Sequence, residues 1–322
     1  MTKLIIQIPC RNEEATLGLT LKALPRTLPG VNIIERLIID DSSTDQTIQV
    51  ARAHEVDHVV ALPRHQGLAK AFMAGLEASL KAGADIIVNT DADNQYCADD
   101  MPKLIAPILN GSADIVIGAR SIGEVAHFSP VKKSLQKLGS WVVRLASRTD
   151  IPDAPSGFRA ISRNAAMQLH VFSEYTYTLE TIIQAGQKSM AITSVPVRTN
   201  PYSRPSRLFK NTPAYLRRQV STIVRIFMTY RPFRFFAGPG ILLFMLGLLI
   251  SLRFLYFYIT AGGAGHVQSL ILSALLMGAG FFLVVVGLLA DLISVNRNLL
   301  ERLDWKMQQF GEKVGKENPN PD

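Results

Sequence analysis

Residues 85–95 decide the fold and read Asp85-Ile86-Ile87-Val88-Asn89-Thr90-Asp91-Ala92-Asp93-Asn94-Gln95. A short apolar run bounded by polar residues is typical of a buried strand. Two carboxylates at positions i and i+2 beyond its end leave the sheet together and can converge on one hard cation. Asp91 and Asp93 are therefore candidate ligands of a Mg²⁺ or Mn²⁺ ion that also binds a substrate phosphate. The alternative is an acidic turn that caps the helix predicted from Asp99.

Short apolar runs alternate with segments of helical spacing through the first 120 residues. The pattern predicts strands at 4–9, 33–40, 56–62, 85–90 and 114–118. It predicts helices at 13–24, 68–81 and 99–109. A further helix is predicted to follow the capping stretch at 42–45. Such alternation predicts an α/β domain with a mostly parallel sheet covered on both faces. Ligands of these sheets bind beyond the carboxyl ends of the strands.

Polar motifs follow the first two predicted strands as well. The first strand ends in Pro9-Cys10-Arg11-Asn12-Glu13-Glu14, and the second ends in Asp40-Asp41-Ser42-Ser43-Thr44-Asp45. Carboxyl ends of parallel strands meet at one edge of the sheet, so we expect three acid- or amide-bearing loops side by side. Strand termination and helix capping are the alternative roles, and they can coexist with ligand binding.

Charge and hydrophobicity are unevenly spread along the 322 residues, of which 48% are hydrophobic and whose formal net charge is +8. Residues 198–234 hold nine Arg or Lys residues and no Asp or Glu. This stretch predicts a basic amphipathic helix on an anionic membrane surface, the alternative being a helix that packs on the domain. The positive charge is explained by lipid phosphate, so we predict no nucleic-acid partner. The two cysteines, Cys10 and Cys97, lack metal-site spacing and favour a reducing compartment.

Two long apolar runs follow the basic stretch. Residues 235–259 contain one charge, Arg253, and residues 267–290 contain none. Each run exceeds the roughly 20 residues that cross a bilayer. A buried hairpin of a soluble protein is the alternative, and two such runs in tandem disfavour it. The loop at 260–266 lacks Lys and Arg whereas both outer flanks carry them, which predicts a cytoplasmic catalytic domain and a cytoplasmic C-terminus.

The expected organisation has four parts. They are a cytoplasmic catalytic domain at 1–200, a basic amphipathic segment at 201–234, a transmembrane hairpin at 235–293 and a cytoplasmic tail at 294–322. The end of the tail, from Gly311, is predicted to be disordered. Within the hairpin, Ala274 and Gly278 are candidates for a close approach of the two helices, and a homo-oligomer is a further possibility.

The motifs resemble those of the inverting family 2 glycosyltransferases of the GT-A fold. The resemblance is strongest to membrane-anchored dolichyl- or polyprenyl-phosphate mannosyl- and glucosyltransferases, and it covers residues 3–210. Their P-x-x-N-E, D-D-x-S-x-D, D-A-D-x-Q, G-x-R and S-G-F-R elements correspond to Pro9–Glu13, Asp40–Asp45, Asp91–Gln95, Gly118–Arg120 and Ser156–Arg159. The turn at His65-Gln66-Gly67 is similar to an N-x-G-x-x-x-A turn of relatives that supports the donor site.

The resemblance implies roles for individual residues. Nucleotide-sugar binding is expected of Pro9, Arg11, Asn12, Glu13, Asp40, Asp41, Asp91 and Ala92. The metal ligands would be Asp91, Asp93 and Gln95, and the catalytic residues Asp93, Arg120 and Arg159. Lipid phosphate would be bound by Arg120, Arg198, Arg204 and Arg207. Arg159 has a surface salt bridge as its alternative role, and Arg204-Pro205-Ser206-Arg207 departs from the R-x-G-x-S-K of relatives.

The implied reaction is an inverting transfer of one hexose from a nucleotide sugar, of the GDP-mannose or UDP-glucose type, to polyprenyl or dolichyl phosphate. The chain lacks a Q-x-x-R-W element, and its nearest candidate for a general base is Glu180, whose alternative is a helix-surface position. A hydroxyl acceptor needs such a base, whereas a phosphate acceptor is already anionic. A lipid hydroxyl acceptor, or a catalytically silent nucleotide-sugar-binding membrane protein, remains as an alternative.

Overall fold

The computed structural model describes residues 1–120, 144, 147, 149–171, 177–200, 221, 224, 225, 228, 230–261 and 267–317. The chain divides into two compact units, Met1–Gln219 and Val220–Asp322. Most of the basic stretch at 198–234, including Arg204 and Arg207, lies outside the described residues. The expected division into four parts therefore stays a prediction.

The first unit is built on one mixed sheet. Within the described residues its strands are β1 (Lys3–Cys10), β2 (Ile33–Asp40), β3 (His58–Ala61), β4 (Ile86–Asn89), β5 (Ile115–Arg120), β6 (Arg159–Ser162) and β7 (Ile192–Val197). Their order is β3-β2-β1-β4-β6-β5-β7, and β6 runs antiparallel to both of its neighbours. The other pairs are parallel. The predicted α/β class with a mostly parallel sheet is confirmed, whereas β6 and β7 were not predicted.

Helices cover both faces of this sheet. They are α1 (Leu17–Ala23), α2 (Thr47–Ala53), α3 (Leu68–Lys81), α4 (Met101–Leu109), α5 (Arg163–Gln168) and α6 (Thr178–Gln187). Side chains alternate along β1, so that Leu4, Ile6 and Ile8 join one core cluster with residues of α1 and α4. On the other face Gln7 meets α3, where a Cβ at Gly75 would lie 2.6 Å from Gln7 Oε1. Burial on both faces explains why the strands are almost continuously apolar.

Helix α1 begins later than its sequence predicts, whereas α2 follows the predicted capping stretch. Helix α1 begins at Leu17 because the residues before it bind the neighbouring loop, as Glu13 does when its backbone N–H donates to Thr47 Oγ1 at 2.8 Å. Helix α2 begins at Thr47, and Asp45 accepts a hydrogen bond from the Thr47 backbone N–H at 3.0 Å. The polar residues 42–45 therefore precede the helix, as predicted for a capping stretch, and Asp45 bonds to its first residue.

The second unit contains two long helices, α7 (Pro232–Ala261) and α8 (Val267–Glu317). The apolar portions, Pro232–Thr260 and Val267–Asn296, span 29 and 30 residues and are long and apolar enough to cross a membrane. Helix α8 continues to Glu317, so the predicted disorder from Gly311 is wrong as far as that residue. The reason is composition, because residues 297–317 are rich in Leu, Glu, Lys, Arg, Gln and Met, which favour helix.

Helices α7 and α8 approach each other at small residues. A Cβ added to Gly280 would lie 2.5 Å from the carbonyl oxygen of Gly240, and one added to Gly247 would lie 2.9 Å from the Ser273 carbonyl oxygen. The buried Ser273 hydroxyl donates a hydrogen bond to the Gly247 carbonyl at 2.8 Å. Glycine thus allows the backbones of the two helices to come into contact, and the Ser273 hydroxyl forms a hydrogen bond between them.

The predicted contact through Ala274 and Gly278 is wrong. A Cβ built on Gly278 meets no atom within 4 Å in the described part of the chain. Two residues along an α-helix turn the side-chain direction by about 200°, so Gly278 points away when Gly280 faces α7. The spacing of small residues was suggestive, but it did not identify which helix face is packed.

We expect Gly280→Ala to destabilise the hairpin because its new methyl group would overlap backbone atoms of α7. The cost of such overpacking is about 1–3 kcal/mol. Gly278→Ala is the matched control, since it adds the same methyl group to the same helix where there is room. Thermal unfolding of the detergent-solubilised protein measures both. Equal unfolding temperatures for Gly280→Ala and Gly278→Ala would contradict the described packing.

Candidate active site

The loops after β1 and β2 are joined by hydrogen bonds at the carboxyl edge of the sheet. The backbone N–H of Asn12 donates to Ser43 Oγ at 2.9 Å, and the Thr44 N–H donates to Asn12 Oδ1 at 2.8 Å. Asn12 has φ of +55° and Ser42 has φ of +57°, a backbone region that asparagine tolerates better than most residues. The polar residues of both motifs therefore shape one wall of a common site. Pro9 is buried at the end of β1, below this wall.

Asp40 and Asp41 are both buried, but their carboxylates face different partners. Asp40 Oδ2 accepts the Ser43 N–H at 3.1 Å, while Asp40 Oδ1 has no hydrogen-bond partner within the described residues. Asp41 accepts three hydrogen bonds from residues 65–67, at 2.7, 2.7 and 2.9 Å. The sequence predicts that either residue contacts base or ribose. In the structure Asp41 holds the loop after β3, and Asp40 retains an unpaired oxygen.

Asp91 and Asp93 lie together where β4 ends. Burial and the neighbouring Asp93 carboxylate raise the pKa of Asp91 to about 7. The Asp91 carboxylate lies against Gly157, where an added Cβ would be 2.8 Å from Asp91 Oδ1. Gly157 also donates its N–H to the Tyr96 hydroxyl at 3.0 Å. The Gly157 position therefore needs glycine so that the Asp91 carboxylate can lie against its backbone.

This donor set fits a hard divalent cation that is shared with a ligand. Two carboxylates repel each other, which is the arrangement that a Mg²⁺ or Mn²⁺ ion between them would relieve. Among the described residues, no group of three or more His, Cys, Asp or Glu side chains is gathered for a metal. Asp91 and Asp93, with Gln95 as the predicted third ligand, would therefore need phosphate oxygens and water to complete the coordination. A cage of protein ligands alone is not formed in this part of the chain.

Arg120 is held by a buried carboxylate beside Asp91. Its Nε and Nη2 donate to Asp153 Oδ2 and Oδ1 at 2.7 and 3.0 Å, and its backbone N–H donates to Asp153 Oδ2 at 3.1 Å. The guanidinium lies 5.9 Å from the centre of the Tyr96 ring. The bidentate pair leaves Nη1 without a hydrogen bond within the described residues. Arg120 therefore presents an oriented cation at the site.

Arg159 lies beneath the site and is fully buried. Its Nη1 donates to Thr181 Oγ1 at 2.6 Å, its Nη2 donates to the Ser156 carbonyl, and its guanidinium lies 5.2 Å from the Tyr177 ring centre. Burial lowers the pKa of this guanidinium. The alternative of a surface salt bridge is wrong. Arg159 instead supports the site from below, because its positive charge lowers the pKa of Asp91.

The segment that follows β7 is fastened to the loop that follows Asp93. The backbone N–H of Asn200 donates to the Gln95 carbonyl at 2.8 Å, and that of Cys97 donates to the Arg198 carbonyl at 3.1 Å. Tyr96 and Thr199 form an antiparallel bridge between these hydrogen bonds. The start of the basic stretch is therefore bound directly to the loop that follows Asp93.

Arg198, a predicted lipid-phosphate ligand, is paired with Asp100. The Arg198 N–H donates to Asp100 Oδ2 at 2.7 Å and its Nη2 to Asp100 Oδ1 at 3.0 Å, while Lys103 Nζ lies 2.7 Å from the same carboxylate. Burial alone would raise the pKa of Asp100, but hydrogen bonds from Arg198 and Lys103 outweigh it and lower that pKa. Since the Arg198 side chain is 64% exposed, the pairing leaves it accessible to a ligand.

The remaining predicted residues also lie at this edge. Ala92 contributes its carbonyl, which accepts the Thr20 hydroxyl at 2.9 Å, and Glu13 accepts the Thr16 hydroxyl at 2.7 Å. Arg11 is exposed and contacts His65 at 2.7 Å. Sequence reasoning missed the residues that orient others, which are Tyr96, Asp100, Asp153 and the side chain of His65. Asp153 was the most detectable of them, because it is an acid between apolar residues three positions before Ser156.

This chain is similar to a known protein family and to several known proteins. The glycosyl transferase family 2 model matches residues 5–170. A UDP-N-acetylglucosamine–dolichyl-phosphate N-acetylglucosaminyltransferase from Methanococcus voltae is 32% identical over 60% of this chain and 83% of its own length. The low-salt glycan biosynthesis hexosyltransferase Agl6 of Haloferax volcanii is 27% identical over 90% of this chain and 69% of its own.

One solved structure illustrates the shared fold. Glucosyl-3-phosphoglycerate synthase from Mycobacterium tuberculosis, crystallised with Mn²⁺, UDP and phosphoglyceric acid, aligns with a TM-score of 0.54 at 20% identity. The alignment covers 71% of this chain and 78% of that one. At this identity the likeness shows the GT-A fold alone.

We expect Gly157→Ala to impair the site without unfolding the domain. The new methyl group would displace the Asp91 carboxylate, and a displacement of about 1 Å at a reacting centre can lower the rate about 100-fold. Gly18→Ala is the matched control, because its methyl group would meet side chains only: the end of His54 at 3.2 Å and Val50 Cγ1 at 3.7 Å. Metal-dependent nucleotide binding and sugar transfer are the measurements. Unchanged binding and transfer in Gly157→Ala would contradict the described contact.

We expect Asp100→Asn to lower stability more at neutral pH than at acid pH. A lowered pKa in the folded state stabilises the protein fully above the unfolded pKa of about 3.9. This contribution declines below that pH and is lost as the pH falls through the lower pKa of the folded state. Thermal unfolding from pH 7 to pH 2 should show a gap of about 2–4 °C between the wild type and the variant, and this gap should begin to narrow below about pH 4. Asp99→Asn is the control, because Asp99 is the exposed neighbour of Asp100. A gap that stays constant or widens as the pH falls below about 4 would contradict this assignment.

Proposed function

Because the chain belongs to glycosyltransferase family 2, we propose that it transfers one hexose, with inversion, from a nucleotide sugar to a polyprenyl or dolichyl phosphate. The observation that carries the proposal is the pair of carboxylates, Asp91 and Asp93, beside the oriented Arg120 at the carboxyl edge of the sheet. The donor is of the GDP-mannose or UDP-glucose type. The relative from Methanococcus voltae supports a dolichyl phosphate acceptor, since its name states that acceptor.

The donor side comprises the loops after β1, β2 and β4. Asn12 and Glu13 form the wall that joins the first two loops, and Asp40 offers a buried carboxylate oxygen with no partner among the described residues. A ribose hydroxyl or a base N–H is the kind of donor that such an oxygen requires. Asp91 and Asp93 lie at the diphosphate end of the donor. A Mg²⁺ or Mn²⁺ ion held there would neutralise charge on the departing diphosphate.

The acceptor side is cationic. Asp153 holds the Arg120 guanidinium in place by accepting hydrogen bonds from Nε and Nη2. The third nitrogen, Nη1, takes part in neither of these two bonds. A planar guanidinium suits phosphate oxygens. Arg198 is exposed, and Arg204 and Arg207, which lie outside the described residues, are the further phosphate ligands that we propose. These positively charged groups favour an acceptor that carries phosphate rather than a neutral hydroxyl.

The proposed reaction needs no proton transfer in the attacking step. An oxygen of the lipid phosphate forms a bond to the anomeric carbon while the bond from that carbon to the nucleoside diphosphate breaks, and the diphosphate leaves with the electron pair. The lipid phosphate is already anionic at neutral pH, so no general base is required. Glu180, the candidate base, is 6% exposed, so the prediction of a helix-surface position for it is wrong. We assign it no role in the transfer.

The two apolar helices give the enzyme its proposed location. Both are long and apolar enough to cross a membrane, and the lysines and arginines at their outer flanks favour the cytoplasm for the catalytic domain and the C-terminus. A membrane anchor keeps the transfer site near the head groups of its lipid acceptor. The Haloferax volcanii relative, whose similarity extends over 90% of this chain, is consistent with one shared architecture that includes these helices.

We expect Asp93→Ala to abolish metal-dependent transfer while the fold is retained. Loss of one carboxylate removes half of the charge that holds the cation, and a loss of transfer of at least about 100-fold is expected. Asp99→Ala is the matched control, because Asp99 is an exposed acid of the same region. Release of GDP or UDP in the presence of polyprenyl phosphate is the measurement. Normal metal-dependent turnover by Asp93→Ala would overturn the metal assignment.

The acceptor is tested by offering the wild-type protein polyprenyl phosphate, polyprenol and diacylglycerol with the same donor and metal. We expect transfer to polyprenyl phosphate alone, because the described cations match its phosphate and an anionic nucleophile needs no base. Transfer to polyprenol or diacylglycerol at a comparable rate would show a hydroxyl acceptor instead. Tight nucleotide binding without turnover on any acceptor would show a catalytically silent protein.

A further inference from the structure

Three loops at the carboxyl edge are linked by a chain of side chains that the reaction does not use. His65 Nδ1 lies 2.7 Å from Asp41 Oδ2, and Arg11 Nη1 lies 2.7 Å from His65 Nε2. Arg11 follows β1, Asp41 follows β2 and His65 follows β3. Asp41 is buried, His65 is about half exposed and Arg11 is exposed. The chain therefore runs from the protein interior to the surface of the site.

The partners determine which proton the His65 ring carries. A guanidinium can only donate hydrogen bonds, so His65 Nε2 must accept from Arg11 and the ring proton must lie on Nδ1, from which it is donated to Asp41. The imidazole is then neutral. Arg11 is held in place through this neutral ring rather than by direct contact with a carboxylate. Among the described residues no carboxylate forms an ion pair with Arg11, so its positive charge remains available to a ligand.

The strand order shows which part of a nucleotide would meet Arg11. Asp91 and Asp93 follow β4, which lies on one side of β1, whereas β2 and β3 lie on the other side. With the diphosphate near Asp91, as the proposed function requires, the nucleoside extends across β1 toward β2. Neighbouring strands are about 4.8 Å apart, so the β2–β3 side is roughly 10–14 Å from β4. The nucleobase is the end of the ligand that reaches this side.

We propose that His65 is a positioning residue for Arg11, and that the Arg11 guanidinium donates hydrogen bonds to a carbonyl oxygen of the nucleobase. Guanine offers such an oxygen next to a ring nitrogen acceptor, and uracil offers ring carbonyls, whereas adenine places an amino donor at the corresponding edge. The Asp41–His65–Arg11 chain thereby favours guanine and uracil nucleotides over adenine nucleotides. This inference rests on the proposed function, because it takes the ligand to be a nucleoside diphosphate.

The test measures binding of UDP, GDP, ADP and inorganic pyrophosphate to the full-length, detergent-solubilised protein with Mn²⁺ by titration calorimetry. The variants are Arg11→Ala, His65→Ala, their combination and His65→Gln. The matched control is His58→Ala. His58 has a similar exposure to His65 and also lies 2.7 Å from a carboxylate, that of Glu35, but it is near the opposite edge of the sheet. Thermal unfolding of each variant shows whether the loop that Asp41 holds is still folded.

We expect the wild-type protein to bind UDP or GDP at least about tenfold more tightly than ADP. Arg11→Ala and His65→Ala should each weaken that preferred nucleotide about tenfold, the effect of losing one hydrogen bond to a charged group. Pyrophosphate and ADP should bind as before, and the double variant should be no weaker than either single one. His65→Gln should retain most of the affinity, because an amide can accept from Arg11 and donate to Asp41.

Each contrary result overturns a stated part of the inference. Equal losses for pyrophosphate and the preferred nucleotide would place Arg11 on the diphosphate. Unchanged affinity in His65→Ala would show that His65 positions nothing, and a loss in His65→Gln as large as in His65→Ala would show the same. If the wild-type protein bound neither UDP nor GDP, the proposed function would fail and this inference with it. If it bound one of them and the variants bound it equally well, this inference alone would fail.

Discussion

Repulsion between two carboxylates, those of Asp91 and Asp93, is the interaction on which the rest of the site depends. Parallel strands bring their carboxyl ends to one edge, and there Asp91 is packed against the backbone of Gly157 with Asp93 close by. Burial disfavours the charged form of Asp91 and the Asp93 carboxylate repels it, and together they raise the pKa of Asp91 to about 7. The positive charges of Arg120 and Arg159 oppose that rise. A divalent cation that binds together with a diphosphate can neutralise the negative charge that remains on the two carboxylates.

Tyr96 ties the two sides of this site together. Its ring stacks on Phe158 with centroids 5.1 Å apart and lies under the Arg120 guanidinium, and its hydroxyl accepts the Gly157 N–H. Its backbone forms the bridge with Thr199. A displacement of the loop that follows β4 would therefore reach Arg120 and the start of the basic stretch through direct contacts. The groups that we propose for donor and acceptor binding are joined by one packed side chain rather than held by separate loops.

The sequence predicted those parts of the fold that follow from periodicity, and it failed where a residue acts against its usual preference. The strands β1, β2 and β4 are apolar runs with acids at their ends, and both features are visible without a structure. Strand β6 was missed because it has four residues and begins with Arg159, and a fully buried arginine is rare. The partnership of Arg11 with His65 was missed because it joins residues 54 positions apart, through a sheet order that the local pattern does not reveal.

The proposed chemistry explains why the site contains a fixed cation and does not require a general base. Donor diphosphate and lipid phosphate are both anionic, so the barrier to bringing them together is electrostatic and not a proton transfer. A flexible lysine would have to be ordered at the moment of reaction. Arg120 is ordered beforehand, because Asp153 holds two of its nitrogens and its backbone N–H while Tyr96 lies beneath its plane. A charge that is already in place costs no reorganisation during the transfer, and in a half-buried site it acts with less screening than it would in water.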